Sequence, residues 1–380
     1  MADVKILMIG GRRAGKSSIL ASMVKQLTEN AEITKYVRIN KTRSNRPVPV
    51  SLSKKQYNLE SFLDNPRGNY YLVDFDHDDN FSYYPFKIKI PDGTGGFCWG
   101  NIGIEFIDCP GESYSDEARA DLYEEIRREM SDSHIFIIAV DTPYLMDPQS
   151  DSGKFKKVNE VNEIIGLFSD LIQFSTDDDY KKIIFVPVKC EAWKDKLDKV
   201  AEKLQQDNYY GPLFDRVKQE KRWSCCIIPT LTAGGIQFTE FGEPRLLDGV
   251  ECSPLGTKRV RMKDGNEHEL LSDERPVKNA DFFQPFYSWF ENVGQYKPEN
   301  CDQIALHVLR FIVFKTLVER SHSRWPNWLA GFPSNANMKT MIFNLESNNF
   351  LKDGDLNSKN ADKGIVHIRK IETGAEINKY

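Results

Sequence analysis

The chain has 380 residues, of which 40% are hydrophobic and 28% charged, with a formal net charge of −5 at pH 7. This is ordinary globular composition, which excludes collagen, wholesale disorder and a disulfide-stapled mini-protein, and the length predicts about two to three domains. The negative charge argues against nucleic acid as the main partner. The longest apolar run is too short to cross a bilayer, so no membrane insertion is expected. Seven scattered cysteines and an acidic start predict a reduced, cytoplasmic protein.

Short apolar runs alternate with amphipathic stretches through the first part of the chain. The runs at 4–9, 102–107, 134–140, 183–188 and 225–229 predict buried strands. The stretches at 17–27, 117–130, 155–174 and 193–206 predict helices. A hairpin formed by 86–90 and 97–108 would add one antiparallel strand. This alternation predicts an α/β fold, with a mostly parallel sheet covered by helices on both faces.

Residues 10–17, Gly-Gly-Arg-Arg-Ala-Gly-Lys-Ser, match the P-loop pattern Gly-x-x-x-x-Gly-Lys-Ser/Thr between a predicted strand and a predicted helix. In this pattern backbone N–H groups and the helix N-terminus hold phosphate oxygens. Lys16 is expected to reach the outer phosphates, and Ser17 to ligate Mg²⁺. Asp108, at the end of an apolar strand, is the second predicted Mg²⁺ ligand. The predicted phosphate-binding residues are Gly10, Arg13, Ala14, Gly15, Lys16, Ser17 and Ser18.

Residues 108–112, Asp-Cys-Pro-Gly-Glu, form an Asp-x-x-Gly motif after the second apolar run. With the P-loop, this order of motifs resembles the P-loop GTPases of the Ras-like, translation-factor-related (TRAFAC) class. The resemblance covers residues 1–234 and the helix near 302–319, with a long insertion between them. The long segment 30–85, the Pro-Gly-Glu ending and residues 298–303 are similar to the double-GTPase type of bacterial conflict systems.

The resemblance implies a base-binding loop after the fourth strand. Lys189 stands where the family's lysine covers the base, Glu191 replaces the guanine-binding Asp, and Val188 replaces an Asn. Thr232 and Ala233 stand where the family has a second base-contacting loop. The implied cofactors are Mg²⁺ and GTP or GDP, with guanine favoured and adenine left open.

The resemblance also implies the catalytic residues Lys16, Gly111, Glu112 and Arg12. Gly111 would sense the γ-phosphate, and Glu112, in place of a Gln, would orient water. Arg12 is either an arginine finger in cis or a solvated loop charge, and both interpretations stay open. The hydroxyl that completes the magnesium shell has three candidates, namely Thr34, Thr42 and Ser82.

The predicted organisation is a GTPase core at 1–233 with a long switch-one insertion at 30–85. A β-rich insertion at 234–299, a final core helix at 300–320 and a C-terminal extension at 321–380 follow. The expected function is a Mg²⁺-dependent GTPase switch that controls a protein partner, placed in bacterial defence by the narrower resemblance. The alternatives are a nucleotide-binding scaffold with little or no hydrolysis, and an ATPase. The oligomeric state is left open.

Overall fold

The computed structural model describes residues 4–11, 14–29, 38–41, 81–90, 100–110, 120–148, 150–175, 180–242, 245–247, 250–252, 287–292, 297–321, 334–348, 350–352, 364–372 and 377. The strands are β1 (Val4–Ile9), β2 (Arg38–Lys41), β3 (Ser82–Ile90), β4 (Gly100–Asp108), β5 (Ile135–Asp141), β6 (Lys181–Val188), β7 (Trp223–Ile227), β8 (Ile236–Gly242), β9 (Arg245–Leu247), β10 (Val250–Cys252), β11 (Tyr287–Asn292) and β12 (Val366–Arg369).

The helices are α1 (Lys16–Glu29), α2 (Ala120–Asp132), α3 (Thr142–Met146), α4 (Ser152–Val158), α5 (Val161–Phe174), α6 (Leu197–Leu204), α7 (Gly211–Gln219), α8 (Cys301–Ser321) and α9 (Asn335–Ser347). A 3₁₀ segment, Glu191–Lys196, precedes α6. Among the helices described, none has the length and apolar character needed to cross a membrane.

The main sheet has eight strands in the order β12-β7-β6-β5-β1-β4-β3-β2. The five central strands, β7, β6, β5, β1 and β4, pair in parallel. This confirms the predicted α/β fold with a mostly parallel sheet. The predicted hairpin is also present, since β3 pairs antiparallel with β4. The structure adds two antiparallel pairings at the sheet edges, β2 on β3 and β12 on β7.

Both faces of the sheet are covered by helices, as the alternation predicts. On β1, Ile6 and Met8 face a core that contains α1, α8 and α9. Leu7 and Ile9 face the opposite core, which contains α2, α5, α6 and α7. Every residue of β5 is buried, as expected for a central parallel strand that is covered on both sides. The carboxyl ends of these strands meet at one edge, where α/β sheets bind ligands.

One predicted helix is wrong in its continuity. The stretch 155–174 forms two helices, α4 and α5, with a break at Asn159 and Glu160. Glu160 has a φ of 49°, in the left-handed region that non-glycine residues seldom adopt. The buried Asn159 amide donates to the Phe155 carbonyl oxygen and accepts from the Asp141 N–H. The bond from the Asp141 N–H is a tertiary contact, which the local periodicity does not predict.

The 234–299 segment contains strands β8 to β11, which form two two-stranded sheets, β8 with β11 and β9 with β10. Its β8 strand packs on the 3₁₀ segment Glu191–Lys196, where Trp193 stacks on Phe238 with ring centroids 5.5 Å apart. The domain boundaries themselves stay predictions. Most of the segment 30–85 lies outside the described residues.

Candidate nucleotide-binding site

The turn after β1 begins with two glycines, Gly10 and Gly11, at positions that leave no room for a side chain. Gly10 has a φ of 148°, and a Cβ atom there would lie 2.7 Å from the Ala139 carbonyl oxygen. At Gly11 a Cβ atom would lie 2.0 Å from the Val158 carbonyl oxygen. Only glycine fits such close approaches of two backbones. The loop is therefore pressed against β5 and against the break between α4 and α5.

Lys16 is held in place by this loop. Its Nζ donates to the Gly10 carbonyl oxygen at 2.8 Å and to the Gly11 carbonyl oxygen at 3.3 Å. Only 8% of Lys16 is exposed, so the ammonium group is confined beside the loop. Ala14 precedes α1 and donates its N–H to the Gly11 carbonyl oxygen. Gly15 accepts from the Ile19 N–H.

Asp108 ends β4 beside the start of this loop. It pairs in register with Met8 of β1, and the Cys109 N–H donates to the Met8 carbonyl oxygen at 3.2 Å. Ser17 and Ser18 lie in the first turn of α1. A buried carboxylate and a serine are hard oxygen donors, which is the ligand chemistry that Mg²⁺ prefers. The predicted ligands Ser17 and Asp108 therefore fit magnesium. The described residues contain no cluster of three or more His, Cys, Asp or Glu that would hold another metal.

Several predicted residues cannot be placed. Arg12, Arg13, Gly111 and Glu112 lie outside the described residues, as do Thr34 and Thr42. Ser82, the remaining switch-one candidate, is the register partner of Asp108 in the antiparallel β3–β4 ladder. Its backbone therefore lies next to the predicted metal ligand.

The two loops predicted to contact the base, here called the base-side loops, follow β6 and β7. In the first of them, Lys189 has a φ of 58°. Its Nζ pairs with Asp141 Oδ2 at 2.5 Å, and Asp141 is the last residue of the neighbouring strand β5. The Lys189 N–H also lies 3.4 Å from Thr232 Oγ1. Val188 lies against the P-loop, since its Cγ2 is 3.6 Å from the Cβ position of Gly15. Lys189 thus contacts the end of β5 through its side chain and the second predicted base-side loop through its backbone.

Glu191 joins the two base-side loops directly. Its Oε1 accepts from the Ala233 N–H at 2.8 Å and from the Gly234 N–H at 3.0 Å. Burial raises the pKa of the Glu191 carboxyl, and the two N–H groups act in the opposite direction by favouring the carboxylate. One carboxylate oxygen of the predicted guanine acceptor is therefore already bound to protein.

The second base-side loop is also tied to the core. The Thr230 N–H and Oγ1 both donate to the Pro187 carbonyl oxygen, at 2.8 and 3.1 Å. Ser22 Oγ of α1 donates to the Thr232 carbonyl oxygen at 2.8 Å. Because α1 begins at the P-loop, this bond connects the phosphate side of the site to the base side.

Sequence reasoning missed three residues of this region, namely Asp141, Asn159 and Glu160. Asp141 had a signal, since it is a carboxylate at the end of an apolar strand, like Asp108. Asn159 and Glu160 lie within a helical periodicity that has no Pro and whose glycine, Gly166, lies six residues after Glu160, so no local signal marks them. The structure brings them to the P-loop because the break between α4 and α5 packs on Gly11.

The similarity of the chain to known proteins is remote. No protein-family model and no curated protein matches the chain. Among solved structures, it is similar to the GTPase-like domain of Ski7 from S. cerevisiae, bound to GTP, at 16% identity, covering 60% of this chain and 42% of that one, with a TM-score of 0.32. It is also similar to the cytosolic domain of FeoB from L. pneumophila, at 12% identity, covering 60% and 63%, with a TM-score of 0.23. The chain thus spans less than two thirds of either protein. These similarities are too weak to carry an argument about function.

Proposed function

We propose that the chain binds a nucleoside triphosphate with Mg²⁺, with GTP preferred, and hydrolyses it slowly. The observation that carries this proposal is the phosphate loop, in which Lys16 is fixed on the Gly10 and Gly11 carbonyl oxygens next to the end of β1. A lysine restrained in this way pays little further entropy when it binds the outer phosphates. Phosphoryl transfer depends mainly on such positioning and on neutralisation of charge.

In this proposal each part of the loop has a separate task. Backbone N–H groups of residues 10–17 bind phosphate oxygens, and Lys16 binds the outer phosphates. Ser17 and Asp108 would hold Mg²⁺, which supplies positive charge to the phosphates when bound. Gly111 and Glu112 would respond to the terminal phosphate and orient water, and Arg12 would add charge to the transition state. This assignment predicts slow turnover, because the Glu112 carboxylate would add negative charge beside a triphosphate.

The switch role follows from the same site. A protein partner that reads the nucleotide state needs a contact that differs between the triphosphate and the diphosphate. Gly111 and the segment 30–85 would supply that contact. The place of this switch in bacterial defence is proposed on the motif resemblance alone.

A second candidate, an ATPase, is favoured by the base-side loop. Val188 supplies no polar brace, and Glu191 already accepts two protein N–H groups through Oε1. Guanine would be read by the remaining oxygen of Glu191. Adenine has no pair of N–H donors at that edge and cannot make this contact. Selection against ATP therefore depends on how much the contact between Glu191 and guanine contributes to binding.

The test is phosphate release from GTP and from ATP in the presence of Mg²⁺, for wild type, Lys16→Ala and Lys199→Ala. Lys199 is an exposed lysine on α6 and serves as the matched control. Release from GTP that is lost in Lys16→Ala and kept in Lys199→Ala supports the GTPase. Release from ATP alone supports the second candidate. Saturable GTP binding without release supports a nucleotide-binding scaffold instead.

A further inference from the structure

The break between α4 and α5 places a carboxyl group beside the phosphate loop. The Val158 carbonyl oxygen lies 2.0 Å from the position that a Gly11 Cβ would occupy, so these two backbones are in direct contact. Glu160 follows two residues later and caps the start of α5. The same contact brings Asn159 Cα within 3.4 Å of the Gly11 Cβ position, so Glu160 follows directly on the residues that meet the loop.

The break is rigid rather than a frayed helix end. Asn159 is fully buried, its Oδ1 accepts from the Asp141 N–H at 2.7 Å, and its Nδ2 donates to the Phe155 carbonyl oxygen at 3.2 Å. Tyr210 Oη donates to the Asn159 carbonyl oxygen at 3.3 Å. These bonds hold Glu160 in its left-handed conformation, which is unfavourable for a residue with a Cβ. Strain of this kind concentrates at functional sites.

The Glu160 side chain has an unexplained polar atom. Its Oε2 is buried and has no hydrogen-bond partner among the described residues. Buried polar atoms in folded proteins nearly always have partners, so this atom is available to a group that the described residues do not supply. The charged and titratable groups that act on or respond to Glu160 are Lys16, Glu163 and Tyr210. Lys16 is close enough to influence the carboxyl electrostatically, although the two described side chains form no ion pair.

The protonation state of this carboxyl sets the kind of ligand that it accepts. Burial raises the pKa of Glu160 to about 8, Lys16 opposes this rise, and Glu163 adds to it. At neutral pH the group is mainly the neutral acid, which donates a hydrogen bond. Phosphate oxygens are acceptors and carry negative charge, so they pair with a neutral acid and are repelled by a carboxylate.

We propose that Glu160 is a further nucleotide-binding residue, whose neutral carboxyl group donates a hydrogen bond to the terminal phosphate of the bound triphosphate. This proposal rests on the proposed function, because it assumes that the loop at residues 10–17 holds a triphosphate. It extends that site to a residue on the α4–α5 break. The two glutamates have different roles in this proposal. Protonated Glu160 binds the phosphate, whereas Glu112 orients water.

The test compares the binding of a non-hydrolysable GTP analogue and of GDP between about pH 6.5 and about pH 9, on both sides of the pKa of Glu160. The proteins are wild type, Glu160→Gln, Glu160→Ala and the control Glu202→Gln, which changes an exposed glutamate on α6. We expect wild type to lose analogue affinity by about tenfold as the pH rises, since ionised Glu160 cannot donate. Glu160→Gln, whose amide donates at every pH, should keep its affinity. Glu160→Ala should bind about tenfold more weakly at neutral pH, with GDP binding unchanged.

The outcomes distinguish this proposal from the proposed function. Analogue binding by Glu160→Ala equal to that of wild type would overturn it, as would a pH dependence in Glu160→Gln equal to that of wild type. Loss of analogue binding in Glu160→Gln as complete as in Glu160→Ala would also overturn it, because the amide retains the donor. If wild type binds neither nucleotide, or Lys16→Ala binds as tightly as wild type, the proposed function itself fails. Glu160→Gly, which relieves the left-handed strain but also lacks the donor, should bind the analogue as weakly as Glu160→Ala, and binding equal to that of wild type would overturn the proposal.

Discussion

Two buried acids, Glu191 and Glu160, determine how the site responds to protons. Burial raises the pKa of both carboxyl groups. An acid with a raised pKa in the folded state takes up protons more readily there than in the unfolded chain. Its contribution to stability is therefore complete below the unfolded value and is lost as the pH rises through the folded value. For Glu160 this window extends from about 4.5 to about 8.

We expect Glu160→Gln to be more stable than wild type at alkaline pH. The amide never ionises, so the variant avoids placing a charge in a buried position. Partial exposure of the side chain reduces the effect, and the free energy of unfolding should increase by about 1–3 kcal/mol at about pH 9 and little at about pH 5. Denaturant unfolding at the two pH values measures this difference. A gain of equal size at both values would contradict the linkage.

Glu191 should stabilise the two base-side loops through its paired bonds. Glu191→Ala leaves the Ala233 and Gly234 N–H groups without their acceptor, and we expect the free energy of unfolding to fall by about 2–3 kcal/mol. Glu191→Gln keeps an acceptor oxygen and should cost about 1 kcal/mol. Urea unfolding near neutral pH tests the ranking. Equal stability of Glu191→Ala and wild type would show that these bonds add nothing.

At the scale of elements, the site depends on where neighbouring strands end. β5 ends at Asp141 and β6 ends one residue before Lys189, and the two side chains pair at 2.5 Å. The exposed fractions of the Lys189 and Asp141 side chains are 18% and 5%. Since the pair is mostly out of water, its loss costs more than that of a surface ion pair.

We expect Asp141→Asn to weaken GTP binding by about tenfold, because a Lys189 side chain without its ion pair no longer stays at the end of β5. Asp215→Asn is the control, since Asp215 pairs with Lys218 in an exposed position on α7. That variant should bind GTP as wild type does. Titration of both variants with a fluorescent GTP analogue measures the two affinities. Equal affinities for the two variants would remove Asp141 from the site.

Periodicity and motif spacing predicted the elements that depend on local sequence. The central strands, α1, α2, α8 and the β3–β4 hairpin are confirmed, because apolar runs and amphipathic stripes are set by near neighbours. The break at Asn159 and Glu160 was not predictable, since its cause is a bond from Asn159 to Asp141 on another element. The helix α7, Gly211–Gln219, also escaped prediction. Contacts distant in sequence decide such cases.

At the scale of the whole molecule, a buried ion pair connects the segment after the last strand to the interior of the sheet. Lys182 of β6 pairs with Glu372, which follows β12, and both side chains are fully buried. Burial favours the neutral carboxyl, but the Lys182 ammonium outweighs it and lowers the pKa of Glu372 to about 2. With a lowered folded-state pKa, this acid contributes stability above about 4.5, and that contribution is lost as the pH falls towards 2.

We expect Glu372→Gln to lower the free energy of unfolding at neutral pH by about 3–5 kcal/mol, because it leaves the Lys182 charge buried and unpaired. The double variant Lys182→Met/Glu372→Gln should recover most of this loss, and its stability should depend less on acid than that of wild type. Denaturant unfolding at neutral pH and at about pH 3 measures both effects. Additive losses in the double variant would contradict the coupling of the pair.

The path of the chain around the 234–299 segment has a mechanical consequence. A Cβ atom at Gly234 would lie 1.8 Å from the Lys297 carbonyl oxygen, so the outgoing and returning chains pass through nearly one point. From there β8 and β11 run side by side to Gly242 and Tyr287, which face each other in register. The paired strands β8 and β11 thus form a two-stranded stalk rooted beside Ala233. Because the stalk begins beside the second loop predicted to contact the base, we expect a displacement of its far end to move that loop, and a ligand bound there to restrict the motion of β8 and β11.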